Sequence, residues 1–261
     1  MPDGDSVMHS TTTNYVAVFI PVDDTNWHAL PVNMADIERQ RDVKPHVVVL
    51  DRTAEGLGPI EGATVVEVGN EESLGEAYRM GLKHTKADLI ALNIPGVRSL
   101  PNRLTLQRTD LAINRHIDLV TSNMVLVDEE GCLTAEVDPD KADEAPTPFW
   151  QAGVMIRRTE LSRIGRSDDL PVELFLYMRL RAQGRTGHMD TVLTVGHAGD
   201  FFALIEDSLK EAMAIRNINP PIRPSPDKFA NDRRAFDARL NPKSSVSDAL
   251  DRMIREGTFD R

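Results

Sequence analysis

Residues 15–24 read YVAVFIPVDD: an unbroken apolar run, Val16–Val22, rich in β-branched side chains, which stops at the paired acids Asp23 and Asp24. A run this short with no polar alternation fits a strand covered on both faces, the pattern of a parallel sheet rather than of a half-solvated hairpin. Working outward, the same signature returns at His46–Asp51, Ala63–Val68, Asp88–Leu92 and Asp118–Val127. Between these runs the apolar spacing turns helical, at Leu30–Arg41, Ser73–His84 (positions 74, 77, 78, 81 and 82) and Pro101–Asn114. Strand and helix alternating through short links predict a doubly wound α/β sheet with right-handed crossovers and helices on both faces. Such a sheet binds its ligand outside the carboxyl ends of its strands.

After Asp128 the rhythm breaks. Val127–Gly131 reads as a hairpin turn, and residues 128–144 hold eight acids against one base, the composition of a solvated loop. A strand is expected over Phe149–Ile156, a short helix over Thr159–Ile164, a helix over Pro171–Gln183, a last strand at Thr191–Val195 and a closing helix at Phe202–Ala214. Asn219–Pro226 (NPPIRPSP) is too proline-rich to be other than extended. It separates the main domain, 15–216, from a C-terminal extension, 217–261, with helical stretches at Lys228–Leu240 and Val246–Glu256 that offer a surface for a homo-oligomer. Residues 1–14 are polar and read as a disordered leader without a signal-peptide core.

Composition narrows the function classes. A net charge of −11 with no basic patch argues against nucleic acid. Aromatics make up 5% of the chain, so the core must be built from Val, Leu, Ile and Met. The single cysteine, Cys132, allows no intrachain disulfide, and no apolar run approaches the length of a transmembrane helix. A cytoplasmic location is expected. The histidines lack zinc-site spacing, and neither a phosphate-binding G-x-x-x-x-G-K-(S/T) loop nor a G-x-S-x-G elbow occurs.

The order of segments resembles family 2 glycosyltransferases of the GT-A fold. YVAVFIPVDD is similar to that family's first strand, and HVVVLDRT (46–53) to its E-(I/V)-I-V-V-D-D-G-S, with Asp51 at the first acid and Arg52 in place of the second. Ser73–Ile90 (SLGEAYRMGLKHTKADLI) resembles the G-x-G-x-A-x-x-x-G segment of the polyprenol-phosphate mannosyl- and glucosyltransferase branch. The physical sense of its small residues is that Gly75, Ala77 and Gly81 thin one face of a helix lying on the sheet. Val127–Gly131, GVMIRR (153–158) and VELFLYMRL (172–180) continue the likeness. It covers residues 15–204 and rests on order and spacing.

The resemblance implies a nucleotide-sugar donor, UDP- or GDP-linked, and a hydroxyl acceptor. It assigns the nucleotide to Pro21, Val22, Asp23, Asp51, Arg52 and Asn93, and the diphosphate or acceptor to Arg157, Arg158, His197 and Trp150. Glu173 falls at the family's general base. A carboxylate suits deprotonation of an attacking hydroxyl, although a Glu there equally suits a helix start. Trp150 suits either the core or a sugar-stacking wall. The sequence departs from the family at the end of the fourth strand. Where two acids normally hold Mg²⁺ or Mn²⁺, this chain has Leu92-Asn93-Ile94-Pro95. The usual hard-oxygen ligands are missing, so metal use is expected to be atypical. Two functions stay open: an inverting transferase, or a degenerate GT-A domain that binds or assembles without catalysis.

Overall fold

The structure is a computed structural model that describes residues 15–128, 133–137, 153–163 and 172–197. The elements run β1 (Val16–Val22), a 3-10 turn (Trp27–Ala29), α1 (Leu30–Glu38), β2 (His46–Asp51), β3 (Ala63–Glu67), α2 (Leu74–Lys83), β4 (Leu89–Leu92), β5 (Arg98–Ser99), α3 (Arg103–Ile113), β6 (Leu119–Val127), β7 (Leu133–Val137), β8 (Met155–Arg157), α4 (Arg158–Leu161), α5 (Val172–Ala182) and β9 (Thr186–His197). The expected helix at 202–214, the proline-rich stretch, the C-terminal helices and the leader lie outside the described residues.

One sheet holds all nine strands, in the order β3-β2-β1-β4-β8-β6-β9-β5, with β7 paired to β6. β1 pairs in parallel with β2 and β4, β2 with β3, and β6 with β9. β8 runs antiparallel to both β4 and β6, so it sits reversed between two sets of strands that point the same way. β5 and β7 are also reversed. The sheet is therefore mixed but mostly parallel.

Alternate residues of each strand feed two cores, as the two-residue period of a strand requires. Ala17, Phe19, Val48, Leu50, Ile90 and Leu92 face α2, α4 and α5 through Ala77, Tyr78, Leu82, Leu161, Leu176 and Leu180. Val16, Val18, Ile20, Val47, Val49 and Ala91 face α1 and α3 through Leu30, Ile37, Leu104 and Leu111. Helices cover both faces, as the sequence predicts. The thin face of α2 also has its reason: a β-carbon on Gly81 would lie 2.7 Å from Leu50 Cδ2 and 3.0 Å from Phe19 Cε2. Ser73 caps this helix, its Oγ accepting from Glu76 N.

β9 is longer than the apolar run at 191–195 suggests. Its first half is polar, and the partners lie across the ladder: Thr121 Oγ1 meets His188 Nδ1 at 2.9 Å, and Asn123 Nδ2 donates to Asp190 Oδ1 at 3.0 Å. Among the described residues, no helix is long and apolar enough to cross a membrane.

Candidate active site

Pro21 shows where the sheet opens. In a parallel strand alternate residues bond to opposite neighbours. Arg52 N donates to Val22 O on the β2 side, and Asn93 N donates to Phe19 O on the β4 side. Pro21 therefore turns its missing N–H toward β4, beyond Leu92, where the ladder has ended. With α1 on one face and α2 on the other, the gap between the tips of β1 and β4 is the switch point of the doubly wound sheet, where a ligand crevice is expected.

Local hydrogen bonds shape each tip. Asp23 Oδ1 accepts from Thr25 N at 2.9 Å and Thr25 Oγ1 at 2.6 Å, while Asn26 Oδ1 accepts from Asp23 N. Asp24 Oδ1 accepts from Ala54 N, joining the first two tips. Asp51, 2% exposed, accepts from Thr53 N and Oγ1 and, at 2.6 Å, from Leu57 N. Its carboxylate sets the turn after β2 rather than projecting into the crevice, and Gly56, at φ +75°, closes that turn. Val22 is fully buried, so only its backbone belongs to the tip. Arg52 Nη2 donates to Glu72 O, while its buried Nε has no partner.

The fourth tip is built around an arginine that the sequence reading passed over. Arg103, in the first turn of α3, is fully buried. Its Nη1 donates to Asn93 Oδ1 and, at 2.8 Å, to Ser99 Oγ. Its Nη2 donates to Leu92 O at 2.7 Å and Val154 O at 3.3 Å, and its Nε to Gln107 Oε1 at 3.2 Å. All five acceptors are neutral. Burial without a carboxylate lowers its pKa to about 9, so it is charged at neutral pH. One signal was present in the sequence. Arg103, Leu104, Gln107 and Leu111 form the inward stripe of α3, and two polar residues four apart on such a stripe mark a buried polar bond.

The loop that follows Asn93 is held by α1. Asn33 donates to Ile94 O and Val97 O and accepts from Gly96 N, and Asp36 pairs with Arg98. β5 then docks on β9, with Arg98 opposite Val195 and Ser99 opposite Thr194. Two steps further along this register His197 falls opposite Gly96, which brings the end of β9 to the fourth tip. α5 ends three residues before β9, and β9 starts level with the first residue of β6. The helix spans about 16 Å at 1.5 Å per residue and runs back along the sheet, so Val172 and Glu173 begin it at the tip end.

Arg157 and Arg158 require correction. Arg157 pairs with Leu89, the first residue of β4, about 13 Å of strand from Asn93. There Arg157 donates to Leu111 O at 2.6 Å and Ile117 O at 3.1 Å. Arg158 donates to Leu82 O and Thr85 O at the end of α2. Both arginines close helix carboxyl ends at the base of the sheet, far from any ligand at the tips. Asp23, Asp51, Arg52 and Asn93 do share one end with the backbones of Glu173 and His197. Trp150 lies outside the described residues.

Among the described residues, the side-chain groups at the fourth tip do not suit a divalent cation. Asn93 supplies the side-chain oxygen that stands at the family's metal motif, and a guanidinium holds it. Among the described residues no cluster of three His, Cys, Asp or Glu side chains is placed to bind a metal.

No family model and no curated protein matches this sequence. Solved structures do match. Glucosyl-3-phosphoglycerate synthase from Mycobacterium tuberculosis, bound to phosphoglyceric acid, aligns with a TM-score of 0.52 at 15% identity over 80% of this chain and 82% of that one. Its complex with Mn²⁺, UDP and glucosyl-3-phosphoglycerate aligns at 0.51, also with 15% identity over 80% and 82%. Its complex with Mn²⁺, UDP-glucose and phosphoglyceric acid gives 0.51 and 15% over 80% and 81%. The fold is thus that of the GT-A nucleotide-sugar transferases. Among the particular structures it is similar to are those of this synthase.

Proposed function

We propose that the chain transfers a sugar from a UDP- or GDP-linked donor to a hydroxyl acceptor, with inversion. The observation that carries the reading is the open switch point between β1 and β4, flanked by Asp23, Arg52 and Asn93, with the helix bearing Glu173 starting at the same end. The acceptor oxygen attacks the anomeric carbon, its proton passes to Glu173, the bond from that carbon to the diphosphate oxygen breaks, and the nucleoside diphosphate leaves. One displacement inverts the centre. The GT-A neighbours, solved with UDP-glucose and small phosphorylated acceptors, support a soluble acceptor. The likeness to the polyprenol-phosphate branch rests on Ser73–Ile90 alone.

The test is calorimetric titration with UDP, GDP and their hexose conjugates, followed by turnover of the conjugate that binds. Glu173→Gln is expected to lower turnover about a hundredfold while leaving donor affinity within about twofold. Absence of binding to every nucleotide would defeat the proposal. Binding without turnover favours the degenerate module, which the missing metal-motif acids also favour.

A further inference from the structure

The crevice uses one end of the sheet, and the opposite end carries a charge pattern of its own. Strand starts and helix ends meet there. Tyr15 O accepts from Asp88 N and Leu89 N, joining the starts of β1 and β4. Arg157 holds the end of α3 through Leu111 O on one face, and Arg158 holds the end of α2 through Leu82 O and Thr85 O on the other. Asp118, just before β6, and Glu160, in α4, are buried. Asp118 pairs with Arg157 and Arg185, and Glu160 with Arg163, Arg179 and Arg185. Four arginines on two carboxylates leave two positive charges over, and each of the four keeps between 26% and 62% of its side chain exposed.

Lys44 before β2, Lys83 and Lys86 at the end of α2, Arg115 after α3 and Arg181 at the end of α5 add exposed cations to the same end. The exposed acids there, among the described residues, are Asp42, Glu61 and Asp88. The base is therefore net positive in a chain of net charge −11. It shows as no basic run in the sequence because its cations come from separate segments. Two large apolar side chains stand among them: Tyr15 is 67% exposed and Ile113, the last residue of α3, is 73% exposed.

A cationic face set with an exposed aromatic and an exposed aliphatic side chain suits an anionic lipid surface. Lys and Arg meet the headgroups, while Tyr and Ile enter the interface. We infer that the protein docks by this end on a membrane that contains anionic lipid. The charge distribution sets the orientation. The exposed acids Asp24, Glu55, Glu71 and Glu72 lie at the strand tips, about 23 Å away along the seven residues of β1. That is more than about two Debye lengths at physiological salt, so a bilayer at the base attracts the cations without repelling those acids. A nucleic acid long enough to run past this end would meet the acidic remainder of the surface, and it offers Ile113 no apolar medium. Docking by the base leaves the crevice between β1 and β4 facing water. The inference stands on the base alone and holds whether or not the tips catalyse transfer.

The experiment is co-sedimentation of the full chain with vesicles of phosphatidylcholine containing about one third phosphatidylglycerol, and with vesicles of phosphatidylcholine alone. The wild type is expected to bind the anionic vesicles at least about tenfold more tightly, and to lose most of that advantage in about 0.5 M salt. Lys83→Gln with Lys86→Gln removes two exposed charges and should weaken binding about tenfold or more. Ile113→Ser should weaken it about threefold to fivefold. Both variants change exposed side chains and should keep the wild-type thermal midpoint. Glu71→Gln with Glu72→Gln, at the tips, should leave vesicle binding within about twofold.

Equal binding to both kinds of vesicle overturns the inference. So does binding that the lysine and isoleucine variants leave unchanged, because the attachment then lies elsewhere in the chain. Tighter binding to a duplex DNA oligonucleotide than to the anionic vesicles, lost in the lysine variant and kept in Ile113→Ser, would assign the base to nucleic acid and overturn the lipid reading. Each of these failures leaves nucleotide binding at the tips, and with it the transferase reading, untouched.

Discussion

Arg98 and Asp36 meet through two parallel hydrogen bonds, 2.6 Å from Nε to Oδ2 and 2.8 Å from Nη2 to Oδ1. Asp36 also accepts from Ser99 N. A buried carboxylate of α1 therefore fixes the segment that carries Ser99 to Arg103. Removing it takes the bidentate acceptor from Arg98 and the acceptor from one backbone donor, but Arg98 is a third exposed and rehydrates in part. Asp36→Ala should cost about 2 kcal/mol in chemical denaturation. It should also weaken nucleotide binding, because the loop after the fourth tip loses its anchor. A loss of stability with unchanged affinity would separate the loop from the site.

The relocation of Arg157 and Arg158 makes an opposite prediction. Each closes carbonyls at a helix end, a role worth about 1 kcal/mol or more when the groups are half-buried. Alanine at either position should lower the thermal midpoint and leave nucleotide affinity within about twofold. A selective loss of affinity in either variant would restore them to the diphosphate.

The same two residues show why part of the site could not be read from sequence. The parallel strands are legible because burial on both faces makes them continuous apolar runs, as at Val47–Leu50 and Leu89–Leu92. Where such a strand ends, a tip begins, and this places Asp23, Asp51 and Asn93 together. The rule fails for β8, which runs the other way, so the residues at its end lie at the base. Apolar patterning carries no strand direction. The first half of β9 was hidden for another reason: His188 Nδ1 and Asp190 Oδ1 meet Thr121 and Asn123, residues more than sixty positions away. Arg103 was hidden because its partners are mostly backbone carbonyls and neutral side chains, which leave no opposite charge in the sequence to pair with it.

Gly81 gives a test of the fold alone. An added methyl would press on Leu50 and Phe19, both fully buried. Ala would favour the helix by about 1 kcal/mol on propensity, whereas overpacking a closed core costs about 1–3 kcal/mol. Gly81→Ala should therefore be neutral to destabilising by about 2 kcal/mol, despite the better helix former. A stabilised variant in denaturant titration would mean that α2 stands further from the sheet.

The pH response of Arg103 follows from its burial, which lowers the group from the ordinary arginine range to about 9. Below about 9 the folded and unfolded chains both hold the proton, and the desolvation cost is constant. Above it the folded chain releases a proton that the unfolded chain still keeps, so this group's contribution to stability rises with pH above about 9. In urea titrations the stability of the wild type relative to Arg103→Met should therefore rise by about 1 kcal/mol between pH 8 and pH 10. A difference that stays constant through pH 10 would show that Arg103 keeps its proton in the folded chain across this range.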